Sequence, residues 1–279
     1  MPKQLRIAVM SNAGGSGKST LTVNVGYELA AQGYSVALFG LDPNGSLTLF
    51  CGLPDPPVED TLNRVFQKDF DGNWPLFNCW SEKTSRVQVC LGGLIMTEAA
   101  QRLVLLDRKA YILADHLEDY PLPHDFILFD CPGTIDMLHS AALTASNYVL
   151  IPIQPDDKDI DGAAKLLEWI FDSIRTLRLK PAPEIMGFVP NRVRLGDRAQ
   201  HRDNMGLSNR EKTAQDPPSL PDMLAAMKIH CFSLIKDSAE IGNAASIGLP
   251  LKSYRPAHAA NKNFKEIARV IQKKLSSQS

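Results

Sequence analysis

The fold is decided by a run of small residues between an apolar segment and an amphipathic one, Ser-Asn-Ala-Gly-Gly-Ser-Gly-Lys-Ser-Thr at positions 11–20. The preceding segment, Leu5–Met10, has the length and apolar content of a buried strand. The residues that follow place Leu21, Val25 and Leu29 at helical spacing. Glycines let backbone N–H groups turn inward, and a helix N-terminus adds positive potential. The strand, loop and helix together therefore predict a phosphate site.

Within this loop the pattern gives two side chains specific tasks. Lys18 reaches the β- and γ-phosphates, and the Ser19 hydroxyl ligates Mg²⁺. The strict pattern G-x-x-x-x-G-K-[ST] is not met, because Asn12 stands where its first glycine belongs. The alternative is a plain glycine-rich turn, but a lysine at a helix start is unfavourable against the helix dipole. The predicted cofactor-binding residues of the loop are Gly14, Gly15, Ser16, Gly17, Lys18, Ser19 and Thr20.

Apolar segments alternate with helical ones along the chain. Further strands are predicted at Ser35–Phe39, Val87–Leu91, Phe126–Phe129, Tyr148–Ile153, Ile185–Val189 and Cys231–Ile235, and helices at Leu62–Phe66, Glu98–Leu117, Met137–Ala145 and Lys165–Leu177. This alternation predicts an α/β fold with a mostly parallel twisted sheet and helices on both faces. Together with the phosphate loop it predicts a single P-loop NTPase domain over residues 1–279. Residues 54–85 and 192–222 are turn-rich or polar, so they are predicted to be surface excursions.

The composition excludes several classes of protein. Of 279 residues, 44% are hydrophobic and 22% are charged, which is a globular composition. A net charge of −1 gives no overall field that would demand nucleic acid or membrane, so such contacts need a local patch. Five cysteines without a C-x-x-C pair argue against a disulfide framework or a cysteine zinc site. We expect a cytoplasmic protein that does not span a membrane.

Five stretches carry a resemblance to a known family. Residues 13–20 resemble the deviant Walker A box of the ParA/MinD family of P-loop ATPases. Residues 41–46 (Leu-Asp-Pro-Asn-Gly-Ser) are similar to its D-P-Q-G-N stretch, and residues 129–133 to its Walker B segment. Residues 148–155 and 248–256 resemble later segments of the family. The ordered set implies ATP and Mg²⁺ as cofactors and a homodimer that encloses its nucleotides between two subunits.

The resemblance also assigns residues to roles. Asp42 positions or activates the attacking water, although Asp-Pro also favours a simple Asx turn. Asp42 and Asp130 join Ser19 around the metal, and an unpaired carboxylate at the end of an apolar strand is costly without such a partner. Independently of the resemblance, Asn191 follows the strand Ile185–Val189 and its amide is suited to reading the adenine edge, with Pro256 and its neighbours covering the other side of the base, although Asn is also common in turns.

Two positions depart from the family, Ala13 in the phosphate loop and Gly40, where relatives commonly place an acidic residue just before x-Asp-Pro. The family carries a lysine at the start of its Walker A box that reaches the partner's nucleotide, and this sequence has Ala13 there. Either hydrolysis is crippled or another cation substitutes, and Lys158, just beyond the strand Tyr148–Ile153, is the candidate. The alternative is a lysine that merely solvates an acidic loop. The McdA (maintenance of carboxysome distribution) branch also lacks the first lysine and keeps one in the second half of the chain, so the sequence resembles that branch.

The C-terminal segment has a basic stripe. Lys262, Lys265, Arg269 and Lys273 lie on one side of a predicted helix, and Phe264, Ile267, Ile271 and Leu275 on another. The basic stripe could hold DNA phosphates without reading sequence, or it could be a solvated face. A membrane role is disfavoured because the stripe lacks tryptophan. Family precedent favours non-specific DNA binding.

Three functions remain open. The preferred one is a positioning ATPase whose ATP-bound dimer coats nucleoid DNA, while an adaptor (McdB- or ParB-like) triggers hydrolysis through Lys18, Asp42 and Lys158. Its cargo is carboxysomes by preference, with plasmid or chromosome partition as the alternative. A non-hydrolysing nucleotide-gated scaffold is the third, motivated by Ala13.

Overall fold

A single sheet forms the centre of the molecule. The computed structural model describes residues 4–106, 108–208 and 217–277, and within them seven strands pair in the order β3-β4-β2-β5-β1-β6-β7. The strands are β1 (Leu5–Val9), β2 (Val36–Gly40), β3 (Phe77–Asn78), β4 (Val87–Cys90), β5 (Phe126–Asp130), β6 (Tyr148–Ile153) and β7 (Glu184–Pro190). All pair in parallel except the short edge strand β3, which is antiparallel to β4.

Helices cover both faces of this sheet. They are α1 (Lys18–Ala31), α2 (Ser46–Cys51), α3 (Met96–Val104), α4 (Ile112–Asp119), α5 (Met137–Ala145), α6 (Asp157–Thr176), α7 (Ala199–Asn204), α8 (Leu220–Ala226), α9 (Ala239–Ser246), α10 (Leu251–Tyr254) and α11 (Ala260–Ser277). Alternate residues of a strand face opposite sides, so Ile7 packs with α1 and α11 while Ala8 packs with α5 and α6. The predicted fold class is confirmed.

The predicted single helix Glu98–Leu117 was wrong. The chain forms α3 and α4 instead, and Arg108 between them has a φ of 53°, in the left-handed region that breaks a helix. The Arg108 guanidinium donates to both Asp115 oxygens, at 3.0 and 2.7 Å, and holds the connection to α4. Leu103 and Leu113 are buried in the same core, so the apolar pattern continues across the break and conceals it.

The predicted strand Cys231–Ile235 was also wrong as a strand. The segment makes one isolated parallel bridge, from Cys231 to Phe188, and Lys236 directly after it makes a second one to Val193. A continuous ladder is interrupted because Pro190 has no N–H to donate and the chain then turns aside at Arg192, where φ is 53°. The apolar run therefore lies beside β7 without becoming a member of the sheet.

Three other predicted segments differ in detail. The helix predicted at Lys165–Leu177 begins at Asp157, which places Lys158 in its first turn rather than in a loop. Within residues 54–85, a 3₁₀ helix at Leu62–Phe66 buries apolar side chains in the core. Within residues 192–222, α7 and the start of α8 are described, whereas 209–216 lie outside the described residues. None of the helices in the described ranges has the length and apolarity needed to cross a membrane.

Candidate functional site

A cavity of about 600 Å³ lies at the carboxyl edge of the sheet. The loops that follow parallel strands meet at this edge, which is where open α/β sheets bind ligands. Among the residues named from the sequence, the lining includes Gly14, Gly15, Gly17, Lys18, Ser19, Thr20, Asp42 and Asn191. The structure therefore brings together loops that follow β1, β2 and β7. Ser16, Asp130, Lys158 and Pro256 are not part of the lining.

The glycine-rich loop is held from its inner side. Ser16 is fully buried, its hydroxyl lies 2.7 Å from that of Ser11, and its carbonyl accepts from Asn191 Nδ2 at 2.9 Å. Gly17 has a φ of 96°, and a Cβ there would lie 2.0 Å from Asn191 Nδ2, so only glycine fits. Gly14 and Gly15 are exposed on the cavity side. The loop is thus held by hydrogen bonds on its inner side and open to the cavity on its outer side.

Lys18 begins α1 and is buried at the base of the loop. Its Nζ donates to Ser11 Oγ and to the Ala13 carbonyl, both at 3.1 Å. The first turn of α1 has no side-chain cap and no acidic residue. Its free N–H groups and the ammonium therefore make this end of the cavity electropositive, which suits a phosphate group.

Asp130 ends β5 below the loop. It is fully buried, and neither carboxylate oxygen has a hydrogen-bond partner among the described residues. Burial raises its pKa to about 7; the Asp42 carboxylate adds to this rise, while the nearby Ser19 hydroxyl and Lys18 oppose it. An orphaned buried carboxylate beside a serine hydroxyl fits a hydrated divalent cation. The described ranges contain no group of three or more His, Cys, Asp or Glu side chains able to hold a metal.

Asp42 follows β2 and is largely buried at the edge of the cavity. Its Oδ1 accepts from the backbone N–H and from Nδ2 of Asn44, both at 3.0 Å. This is the Asx turn that the sequence offered as the alternative reading. The carboxylate nevertheless lines the cavity, so the turn and a water-positioning role are compatible.

The raised pKa of Asp130 predicts a pH-dependent stability. Between 3.8, its ordinary value, and about 7, the folded state binds more protons than the unfolded state, so stability falls as pH rises through this window. Asp130→Asn removes this dependence. The free energy of unfolding of the variant minus that of the wild type should therefore increase by about 3 kcal/mol from pH 5 to pH 8, as measured by urea unfolding without metal or nucleotide. The exposed Asp55→Asn is the matched control. If the difference in the free energy of unfolding between variant and wild type does not change with pH, the pKa of Asp130 is not raised.

The expected adenine contacts are placed differently. Asn191 lines the cavity, but its amide nitrogen already donates to Ser16 O, which leaves Oδ1 to accept from a base. Pro256 is exposed and outside the lining. The far wall is instead formed by Phe50 together with Ala239, Ile241, Gly242 and Ala245 of α9. This wall was not predicted from the sequence. The signal that could have indicated it is Ser-Ala-Glu at 238–240, which is typical of a helix start, with Ser238 as the N-cap of α9.

Lys158 is exposed in the first turn of α6. That turn is fixed by its neighbours, since Asp156 accepts from Arg198 at 2.9 Å and lies 3.0 Å from the buried His201 Nε2. The backbone N–H of Arg194 donates to His201 Nδ1, so Nε2 carries the proton and donates to Asp156. The helix start is therefore rigid while the Lys158 side chain is open to solvent.

The basic stripe lies on α11. Its apolar side chains Phe264, Ile267 and Ile271 are buried against α1, as the spacing indicated. All four basic side chains of the stripe are exposed: Lys262, Lys265, Arg269 and Lys273. The stripe is thus available to a partner on the outer surface.

The sequence is similar to those of several known proteins. A family model described as "AAA domain" matches residues 5–181. The chromosome partitioning protein ParA of Caulobacter vibrioides is 26% identical over 95% of this chain and 92% of its own. The maintenance of carboxysome distribution protein A of Synechococcus elongatus is 25% identical over 79% of this chain and 85% of its own.

A solved structure shares the fold. The ATP complex of a variant of Cyanothece McdA superposes with a TM-score of 0.79 at 20% sequence identity, covering 98% of each chain. The family model spans more than half of this chain and includes the phosphate loop, Asp42 and Asp130. The protein therefore belongs to this AAA-domain family and, within it, to the ParA/MinD-type ATPases.

Proposed function

We propose that the protein is an ATP-hydrolysing homodimer that positions a cargo on DNA. One observation carries the nucleotide part of this proposal. The phosphate loop and the buried Lys18 line one end of a cavity large enough for a nucleotide, and the buried Asp130, whose carboxylate has no hydrogen-bond partner among the described residues, lies next to Ser19 and Lys18. The charges needed for a triphosphate and its Mg²⁺ meet there.

The residues of the site divide the work of phosphoryl transfer. Loop N–H groups and Lys18 bind the phosphates, and the Ser19 hydroxyl together with Asp130 holds the hydrated Mg²⁺, which neutralises developing charge. Asp42, fixed by its turn with Asn44, orients a water toward the terminal phosphate. Catalysis in this chemistry is largely positioning and electrostatics, so a rigid site is sufficient.

The location of Lys158 supports the proposed dimer. The loop lacks its first lysine because position 13 is alanine, and Lys158 does not line the cavity of its own subunit. An exposed lysine on a rigid helix start at the same sheet edge can serve a nucleotide held by a facing copy. We therefore assign Lys158 to the partner's terminal phosphate, and the two nucleotides to the subunit interface.

The proposal for the cargo rests on similarity. The relatives above include a carboxysome-distribution protein and a chromosome-partitioning protein. Carboxysomes are the preferred cargo because Ala13 and Lys158 together match the McdA branch; partition of DNA is the alternative. In either case an adaptor, McdB- or ParB-like, triggers hydrolysis, and the ATP-bound dimer is cytoplasmic and associated with the nucleoid. A non-hydrolysing scaffold is the competing function, motivated by Ala13.

Light scattering with size-exclusion chromatography tests the dimer. The protein should be monomeric with MgADP and dimeric with MgATP, and Lys18→Ala should stay monomeric with both because it loses its phosphate contact. Lys165→Ala, an exposed lysine further along α6, is the control and should dimerise. An ATP-independent mass would contradict the nucleotide-gated dimer.

A second prediction concerns DNA. Replacing the four basic side chains of the α11 stripe by alanine should reduce the affinity of the ATP dimer for random-sequence duplex DNA by at least about tenfold at moderate salt, because four phosphate contacts per subunit are lost. The variant should also show a shallower dependence of log affinity on log salt concentration. Fluorescence anisotropy at several salt concentrations measures both.

The control replaces four exposed cations from other regions, Lys68, Lys83, Arg86 and Lys109. It removes the same net charge and should retain DNA binding. Equal losses in the two variants would show a general charge effect, and DNA binding through α11 would then be wrong.

A further inference from the structure

Arg192 is a second cation at the nucleotide cavity, and the sequence pattern did not single it out. It follows Asn191 directly and lines the cavity. Its NH1 group donates to the Gly15 carbonyl at 3.2 Å, and its Nε lies 3.5 Å from Asp237 Oδ1. The side chain is half exposed, so water and ligands reach it. The guanidinium thus rests on the phosphate loop itself.

The backbone places it there under constraint. Arg192 has a φ of 53°, in the left-handed region that residues with side chains rarely adopt. The residues on either side are anchored, since Asn191 N donates to Ile153 O at 2.8 Å and Val193 N to Ile235 O at 3.0 Å. Backbone conformations of this kind concentrate at ligand-binding sites, where the surrounding structure maintains them. Here the constraint turns the arginine toward the cavity.

The phosphate loop itself carries little positive charge to balance a nucleotide. Between positions 11 and 20, Lys18 is the sole cation, and Ala13 replaces the lysine of the family. A nucleoside triphosphate with Mg²⁺ retains negative charge at its terminal phosphates. The present acceptors of Arg192 are a neutral carbonyl and a carboxylate at 3.5 Å, and a phosphate is a better partner for a planar guanidinium because it accepts two parallel N–H bonds.

We infer that Arg192 binds the phosphate chain of the nucleotide held in its own subunit, exchanging Gly15 O and Asp237 for phosphate oxygens. This inference rests on the proposed nucleotide site and adds a residue to it. It separates two tasks: Arg192 contributes to nucleotide affinity in a single subunit, whereas Lys158 acts on the partner's nucleotide during turnover. Arg192 therefore contributes to the binding of ADP as well as ATP, with or without a dimer.

Isothermal titration with MgADP and MgATP tests this assignment, with the ATP titrations in an Asp42→Ala background that suppresses hydrolysis. Arg192→Ala should raise the Kd for each nucleotide about tenfold, the scale of one lost charge-assisted contact. Arg192→Lys should recover only part of this loss, since lysine restores the positive charge but not the two parallel N–H donors of the guanidinium. Arg194→Ala is the matched control, because its side chain pairs with Asp197 and does not line the cavity.

A purely structural role for Arg192, latching the loop to Asp237, gives a different result. In that case Asp237→Asn would weaken both nucleotides as Arg192→Ala does, and that result would overturn the inference. If Arg192 binds phosphate, Asp237→Asn should bind nucleotide as tightly as the wild type or more tightly. Unchanged affinity in Arg192→Ala would also overturn it, while a wild type that binds neither nucleotide would instead overturn the proposed function.

Discussion

Lys158→Ala is expected to lower ATP turnover by about a thousandfold while leaving the Kd for MgATP nearly unchanged. The size follows from the effect of a cation that stabilises transferring phosphate from outside the nucleotide-binding subunit, about 10³ or more in related chemistry. Binding survives because Lys158 does not line the cavity of its own subunit. Phosphate release under saturating ATP, DNA and adaptor measures turnover, and equilibrium titration measures binding.

The matched control is Lys165→Ala, which removes an exposed lysine from the same helix. It should hydrolyse ATP at the wild-type rate. Full activity in Lys158→Ala would show that Lys158 merely solvates the helix start. If the wild type itself shows no turnover under these conditions, the nucleotide-gated scaffold becomes the better account.

Asp42→Ala is expected to lower turnover by about 10²- to 10⁴-fold, the range for removal of a group that orients or activates the attacking water. The MgATP complex and its dimer should persist, because the loop, Lys18 and Asp130 remain. The same phosphate-release and light-scattering measurements apply.

Asp42→Asn separates the two readings of this residue. An asparagine oxygen can still accept from Asn44 and keep the turn, but it carries no charge. It should therefore be as inactive as Asp42→Ala. Wild-type turnover in Asp42→Asn would mean that Asp42 only shapes the turn.

Much of the fold could be predicted from local pattern. Buried strands such as Phe126–Asp130 are short continuous apolar runs, and their alternation with helices allows essentially one arrangement, a parallel sheet with helices on both faces. The phosphate loop could be predicted because its short run of small residues is rich in glycine, and the structure gives Gly15 and Gly17 the positive φ that favours this residue. Lys18 and Asp42 were found because each directly follows such a feature.

What the sequence concealed depends on contacts between distant residues. The break before α4 is invisible in apolar spacing, because both helices feed one core. The wall of α9 and the guanidinium of Arg192 reach the cavity only through tertiary packing. Asn191 was chosen for its amide, yet the hydrogen bond of that amide to Ser16 O, across 175 positions, could not be inferred without the fold.

The central claim is that each nucleotide is served by Asp42 of its own subunit and Lys158 of the other. Mixing Lys158→Ala with Asp42→Ala protein tests it directly, because each mixed dimer then holds one site with both groups intact. In a two-fold symmetric dimer that exchanges subunits freely, turnover should return to about a quarter of the wild-type rate, although each variant alone is inactive. A mixture as inactive as its two components would contradict the claim, because Lys158 would then act, if at all, within its own subunit.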